Sequence, residues 1–193
     1  MELDNAFLKK KEIVDHIVKL MDEEGMKNIS VKEICEHANI ALGTFYHYFQ
    51  SKNSIVEEMY KLMDEHYLFY KDQISSHASL EEDIIDFVDH FENFVADWGY
   101  YANILIVKTA LEESDKHDKR AIVQVLKEIV EKGKAEKSYS VDIKTEDLVE
   151  KIFIIIRGEL YFWAKADKDY EIRNKISSHV ELYLLGLQVK GTD

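Results

Sequence analysis

Proline is absent from all 193 residues of the chain, although a usual share of roughly 5% would supply about ten. Without the residue that breaks helix interiors, long helices joined by short connections are favoured. Cysteine is nearly absent as well. Cys35 alone cannot close an intrachain disulfide or supply a four-cysteine zinc site, which excludes a secreted disulfide scaffold and makes the cytoplasm the expected compartment. A long apolar run is missing too: the most apolar stretch, Ile152 to Trp163, contains Arg157 and Glu159. The start, Met1-Glu2-Leu3-Asp4-Asn5, has no basic region followed by an apolar one, so neither a membrane span nor a signal peptide is expected. Repeats and Gly/Ser-rich linkers are lacking. Basic charge is also scarce. With 25 basic against 38 acidic residues the net charge is −13, which on its face argues against a partner as negative as nucleic acid.

What is present is helical periodicity almost throughout, with no strand alternation bounded by turn dipeptides, and the fold class read from it is all-α with about nine helices. A first helix over residues 5 to 24 carries Leu8, Ile13, Ile17, Leu20 and Met21, and Gly25 is placed to close it. Ser30-Val31-Lys32-Glu33 is a capping box that starts a short helix ending near Ala38. Asn39, which tolerates left-handed geometry, follows it, and the apolar period resumes in a new phase at Phe45 and Phe49. A long helix then runs to about Ser75. A second capping box, Ser79 to Glu82, opens a helix ending near Gly99. Further helices are expected over residues 100 to 113, 117 to 137, from an N-cap at Thr145, and from about 169 to 189.

The last two helices are apolar on two flanks. Leu148, Ile152, Ile155 and Phe162 form one seam and Val149, Phe153, Ile156, Leu160 and Trp163 the next, while the final helix carries Ile176, Val180, Tyr183, Leu184 and Leu187. One flank can serve the core and the other a second copy, so a homodimer through these two helices is expected.

Ile34, Cys35, Ala38, Asn39, Ile40, Phe45 and Phe49 have the spacing of a helix-turn-helix. A small residue at Cys35 lets the two helices cross closely, and Ile40 fills the space under the turn. The second helix is left with an outward face of Leu42, Gly43, Thr44, Tyr46, His47 and Tyr48. Its hydroxyls and imidazole can donate to phosphate oxygens or base edges.

On these residues, above all Gly43-Thr44-Phe45-Tyr46-His47-Tyr48-Phe49-Gln50-Ser51-Lys52, the segment from Ile13 to Met59 resembles the DNA-binding domain of the TetR/AcrR family of bacterial transcriptional regulators. The resemblance implies a homodimeric, usually repressing regulator of palindromic operators, released when a small molecule enters the C-terminal domain. It divides the chain into a DNA-binding domain, residues 1–52, and a ligand-binding and dimerisation domain, residues 53–193. Its reading helix falls on Leu42 to Phe49. The positions implied to touch DNA are Thr44, Tyr46, His47 and Tyr48, with Lys52 gripping a phosphate and Ser30 and Lys32 at the leading edge of the first motif helix. Asn39, Cys35, Ala41 and Leu42 depart from the family pattern: Ala41 forgoes a cap worth about 1 kcal/mol, and Leu42 offers only apolar contact.

In the remainder, Phe87, Phe91, Phe94, Trp98, Tyr101, Phe153 and Tyr161 could line an apolar effector pocket or form ordinary core, and Lys108 and Arg157 could hold an anionic head group. Asp86 with His90 and Glu113 with His117 are four apart, but such pairs are usually solvated, and no metal or cofactor is expected. No Gly-rich phosphate loop, nucleophile elbow or His-Glu-x-x-His spacing is present, so the chain reads as no enzyme. The alternative is a protein of the same fold acting through a protein partner as coactivator or scaffold. Residues 1–52 hold seven lysines and nine acidic residues, so most of the acidity lies elsewhere. Lys9, Lys10, Lys11, Lys27, Lys32 and Lys52 are placed to face phosphates while Glu23, Glu24 and Glu36 point away.

Overall fold

A computed structural model describes residues 5–24, 29–52, 54–112, 119–136, 143–166 and 170–189. Every regular element among them is a helix: α1 (Asn5–Glu24), α2 (Val31–His37), α3 (Leu42–Tyr48), α4 (Ile55–Ile74), α5 (Leu80–Glu112), α6 (Ala121–Glu136), α7 (Thr145–Lys165) and α8 (Lys175–Val189). The fifth is broken at Gly99, whose φ of 81° and ψ of −177° are not helical, so its two arms account for the ninth expected segment. Gly25, Glu113 and His117 lie outside the described residues.

Helix α1 buries Phe7, Ile13, Val14, Ile17, Val18, Leu20 and Met21. Leu8, expected on this stripe, is 48% exposed, because its neighbour Phe7 takes the inward position. The α1 helix packs against α2 and α4 at one end of the molecule and along α5 of the body. Around α5 are gathered α4, α6, α7 and α8. Phe87, Trp98 and Tyr67 sit at the centre of this core, and the Tyr67 hydroxyl donates to the Phe87 carbonyl at 2.7 Å. Gly133 allows close approach of α6 to α5, since a β-carbon there would run into Leu80.

Three helix starts are capped by carboxylates from other elements. Asp64 of α4 accepts the Ile122 amide of α6 at 3.1 Å and also binds the Arg120 guanidinium at 3.0 Å. Asp22 of α1 accepts the Tyr101 amide just after the α5 break. Glu92, 2% exposed, accepts the Ile176 amide at 2.8 Å and the Ser177 hydroxyl at 3.0 Å at the start of α8. A carboxylate satisfies the free amides of a helix N-terminus and favours its dipole. This explains why α8 starts at Lys175 and not near residue 169: Asn174 has φ 62°, which stops a right-handed helix, and Glu92 supplies the cap. Likewise Thr145 is the first residue of α7 and not its cap. The cap position is Lys144, which makes no side-chain capping bond.

Among the described residues, α7 and α8 leave an apolar face uncovered. Ile154, Tyr161, Phe162, Leu182 and Leu185 are 49 to 65% exposed, and Gly158 and Gly186 have open space above them. The expected seam of Leu148 and Ile152 is buried instead, so only Phe162 of that seam faces out.

Candidate DNA-binding site

Helix α2 begins at the expected capping box: the Ser30 amide donates to Glu33 at 2.6 Å, and the Glu33 amide donates to the Ser30 hydroxyl at 3.2 Å. Those bonds hold the Glu33 carboxyl below its usual range. The turn runs through Asn39 at φ 50°, and the Ile40 amide returns to the Cys35 carbonyl at 2.9 Å. Burial pushes the Cys35 thiol up, with Glu36 adding to the effect, which suits a packing residue rather than a reactive thiolate. Ala41 caps α3 with backbone alone. The helix is held by Phe45 and Phe49, both fully buried, with ring centroids 5.1 Å apart and Ile34 and Cys35 in the same core.

With that side fixed, the opposite side of α3 faces solvent. Leu42 and Tyr46 are each 54% exposed, Gly43 and His47 are exposed, and Thr44 and Tyr48 are half-buried. His47 and Tyr48 stack edge to face at 4.9 Å. Open space surrounds Gly43. Ser30 and Lys32 are exposed at the leading edge of α2.

The lysines are more engaged than the sequence suggests. Lys9 pairs with Glu12 at 2.9 Å, Lys11 with Asp15 at 2.8 Å and Lys32 with Glu36 at 3.6 Å. Lys10 reaches across to Glu58 of α4 at 2.8 Å, and Lys61 binds the same carboxylate. Burial raises the Glu58 carboxyl, but these two ammonium groups outweigh it and hold it below its ordinary value. Lys52 donates to the Ile29 carbonyl at 2.5 Å, strapping the start of α4 to the segment before α2. Lys27 lies outside the described residues. Glu36 does not point away: with Lys32, Asn39 and Leu42 it lines an open groove beside the turn.

The residues named for an effector do not converge. Phe91, Phe94, Trp98 and Phe153 are core, Lys108 and Arg157 are exposed, and Tyr161 lies on the uncovered α7 face. Tyr101 alone of the set lines a described cavity. Asp86 and His90 approach to 3.8 Å, with His77 on Asp86 at 3.0 Å and His66 on His90 at 2.9 Å. No group of three or more His, Cys, Asp or Glu that could hold a metal ion occurs among the described residues. Nor is any described helix long and apolar enough to cross a membrane.

Residues 13–59 match the bacterial regulatory proteins of the tetR family. Over 159 residues, 76% of this chain and 78% of the relative, the chain is 22% identical to the HTH-type transcriptional repressor KstR2 of Mycobacterium tuberculosis. It is 26% identical over 110 residues to an HTH-type transcriptional regulator of Staphylococcus aureus, of whose length the match spans 48%. Among solved structures, the fatty acid degradation regulator FadR of Bacillus halodurans superimposes with a TM-score of 0.67 at 20% identity, covering 96% of this chain and 97% of that one. FadR of Bacillus subtilis, in complex with stearoyl-CoA, gives 0.63 at 20% identity, covering 90% and 96%. These two share the fold. Residues 13–59 thus match the DNA-binding segment of the bacterial regulatory proteins of the tetR family, and the chain as a whole shares the helical fold of the two FadR structures.

Proposed function

We propose that the chain is a homodimeric repressor that binds a palindromic operator and leaves it when a small molecule occupies the body. The observation that carries this reading is the outward side of α3, where Leu42, Tyr46 and His47 stand exposed on a helix locked by Phe45 and Phe49. Thr44, Tyr46 and His47 read base edges, and Leu42 and Gly43 approach the groove floor. Ser30, Lys32, Tyr48 and Lys52 contact the backbone. Residues 1–52 act as the head and residues 53–193 as the body. Action on DNA places the protein in the cytoplasm, and binding rather than turnover is its activity.

The uncovered face of Ile154, Tyr161, Phe162, Leu182 and Leu185 supports a two-fold dimer through α7 and α8, with the two glycines permitting close helix approach. Two heads related by that axis would meet half-sites about one DNA turn, or a multiple of it, apart. KstR2 is named a repressor, and the FadR structure of this fold holds an acyl-CoA, which supports release by a ligand.

Selection of bound duplexes from a random library, followed by sedimentation of the free protein, tests the reading. An enriched palindrome and a particle of twice 22.7 kDa are expected. No enrichment, or a monomer at micromolar concentration, would overturn it.

A further inference from the structure

Gly43 gives the fold nothing that alanine would not. It stands in the first turn of α3 without a positive φ, and a β-carbon built on it would meet no atom within 4 Å. Glycine in a helix lowers stability relative to alanine, so the return on the missing side chain lies outside the protein, in a surface that comes close to the α3 backbone. Its neighbour Leu42 is 54% exposed and is the one aliphatic side chain of α3. Thr44, Tyr46, His47 and Tyr48 carry hydroxyls or an imidazole, whereas Leu42 can neither donate nor accept. Through Leu42 the outward side of α3 continues into the open groove beside the turn, whose lining is apolar at Cys35, Ile40 and Ala41. Glu36, held by Lys32 at 3.6 Å, lines the same groove, and its negative charge disfavours a phosphate there. Among the groups that base pairs present in the major groove, the 5-methyl of thymine is the one that rewards an apolar partner.

We propose that Leu42 reads a thymine by its methyl group in each half-site, the methyl seated between Leu42 and the lip of the groove at Ala41. Gly43 is the point where the α3 backbone comes against the base edges. The proposal rests on the DNA-binding reading above and names the base that the site selects. A shorter side chain at position 42 removes the preference for the methyl, and any side chain at position 43 holds the helix off the bases.

The test uses the full chain, the duplex enriched from a random library, and copies in which each thymine in turn is replaced by uracil, which lacks only the methyl. By anisotropy, one symmetry-related pair of positions responds. Uracil there weakens binding about fourfold in one half-site and about fifteenfold in both, the return on burying one and two methyl groups. Leu42→Ala melts with the unaltered chain and binds the thymine and uracil duplexes alike, about as weakly as the unaltered chain binds the uracil copy. Gly43→Ala melts at the same temperature or higher and loses at least about tenfold in affinity, so that stability and binding move apart. Uracil tolerated at every position, or a preference for thymine that survives Leu42→Ala, overturns the methyl reader while the operator reading stands. Undiminished affinity in Gly43→Ala overturns the close approach. No enriched duplex overturns the operator reading and the base reader with it.

Discussion

The carboxylate of Asp22 occupies the space that a β-carbon on Gly99 would fill, and it accepts the Tyr101 amide at 3.2 Å. The two residues therefore depend on each other: the break in α5 brings the amide out, and only a glycine leaves room for the cap. With φ 81° and ψ −177°, Gly99 is also in a conformation essentially closed to other residues. Gly99→Ala should cost on the order of 2–3 kcal/mol from backbone strain, with further loss from displacing Asp22. Urea denaturation measures it, and a loss under about 1 kcal/mol would show that the chain can bend without this pairing.

The sequence reveals a helix end at Gly99, but not what lies against it, and that contrast runs through the fold. The two Ser-x-x-Glu boxes, the left-handed Asn39 and the Phe45 and Phe49 anchors are legible because each is decided within a turn or two of its neighbours. The caps given by Asp64, Asp22 and Glu92 join residues 58, 79 and 84 positions apart, and no local pattern marks them. The effector residues were illegible for a related reason. Helical spacing brings Phe91, Phe94 and Trp98 to one face but cannot tell whether that face meets other helices or a cavity. Here it meets other helices.

Tyr46 and Phe45 are neighbours with opposite expected effects. Tyr46 is 54% exposed, so Tyr46→Ala should change stability by no more than about 0.5 kcal/mol. Its operator affinity should nevertheless fall at least about tenfold, or 1.4 kcal/mol. Phe45 is fully buried, and Phe45→Ala should cost about 3–5 kcal/mol of stability. Thermal melts and fluorescence anisotropy on the selected duplex separate the two. Unchanged affinity in Tyr46→Ala would remove that residue from the site.

Glu92 couples the body to the helix proposed to dimerise. Glu92→Ala leaves the Ile176 amide and the Ser177 hydroxyl without their acceptor, and a loss of about 3 kcal/mol is expected for two bonds to a buried charge. Because α8 also carries the exposed Leu182 and Leu185, the first turn should fray and the dimer weaken. Glu92→Gln retains one acceptor oxygen and should recover part of both. Urea unfolding and sedimentation at several concentrations report the effects. A dimer as tight as that of the unaltered chain would show that the interface does not depend on this cap.

His66 gives stability a pH dependence. Burial, then the neighbouring His90 and Lys11, lowers its pKa from 6.5 to about 4. The native state keeps the ring neutral while the unfolded chain protonates it, so stability is fully present above about pH 6.5 and declines as pH falls towards 4. His66→Gln should flatten the decline between pH 6.5 and 5 in urea titrations. An unchanged slope would place the acid sensitivity in other groups.

The scarcity of basic charge becomes a statement about salt. Affinity for duplex DNA falls with log salt by about 0.9 per phosphate neutralised, so the slope counts the cations that reach the backbone. In the head Lys9, Lys10, Lys11 and Lys32 are each paired with a carboxylate, and Lys52 is spent on the Ile29 carbonyl. Few of them can give up a partner for a phosphate at no cost. Carboxylates elsewhere have structural duties as helix caps, so the net −13 does not stand wholly against DNA. A dimer built this way should show a slope nearer −4 than −10, from about two phosphates neutralised per subunit. Anisotropy titrations between 50 and 200 mM salt measure it. A slope near −10 would mean that the lysines exchange their carboxylates for phosphates on binding, and that the ion pairs of the free head are storage for the DNA-bound state.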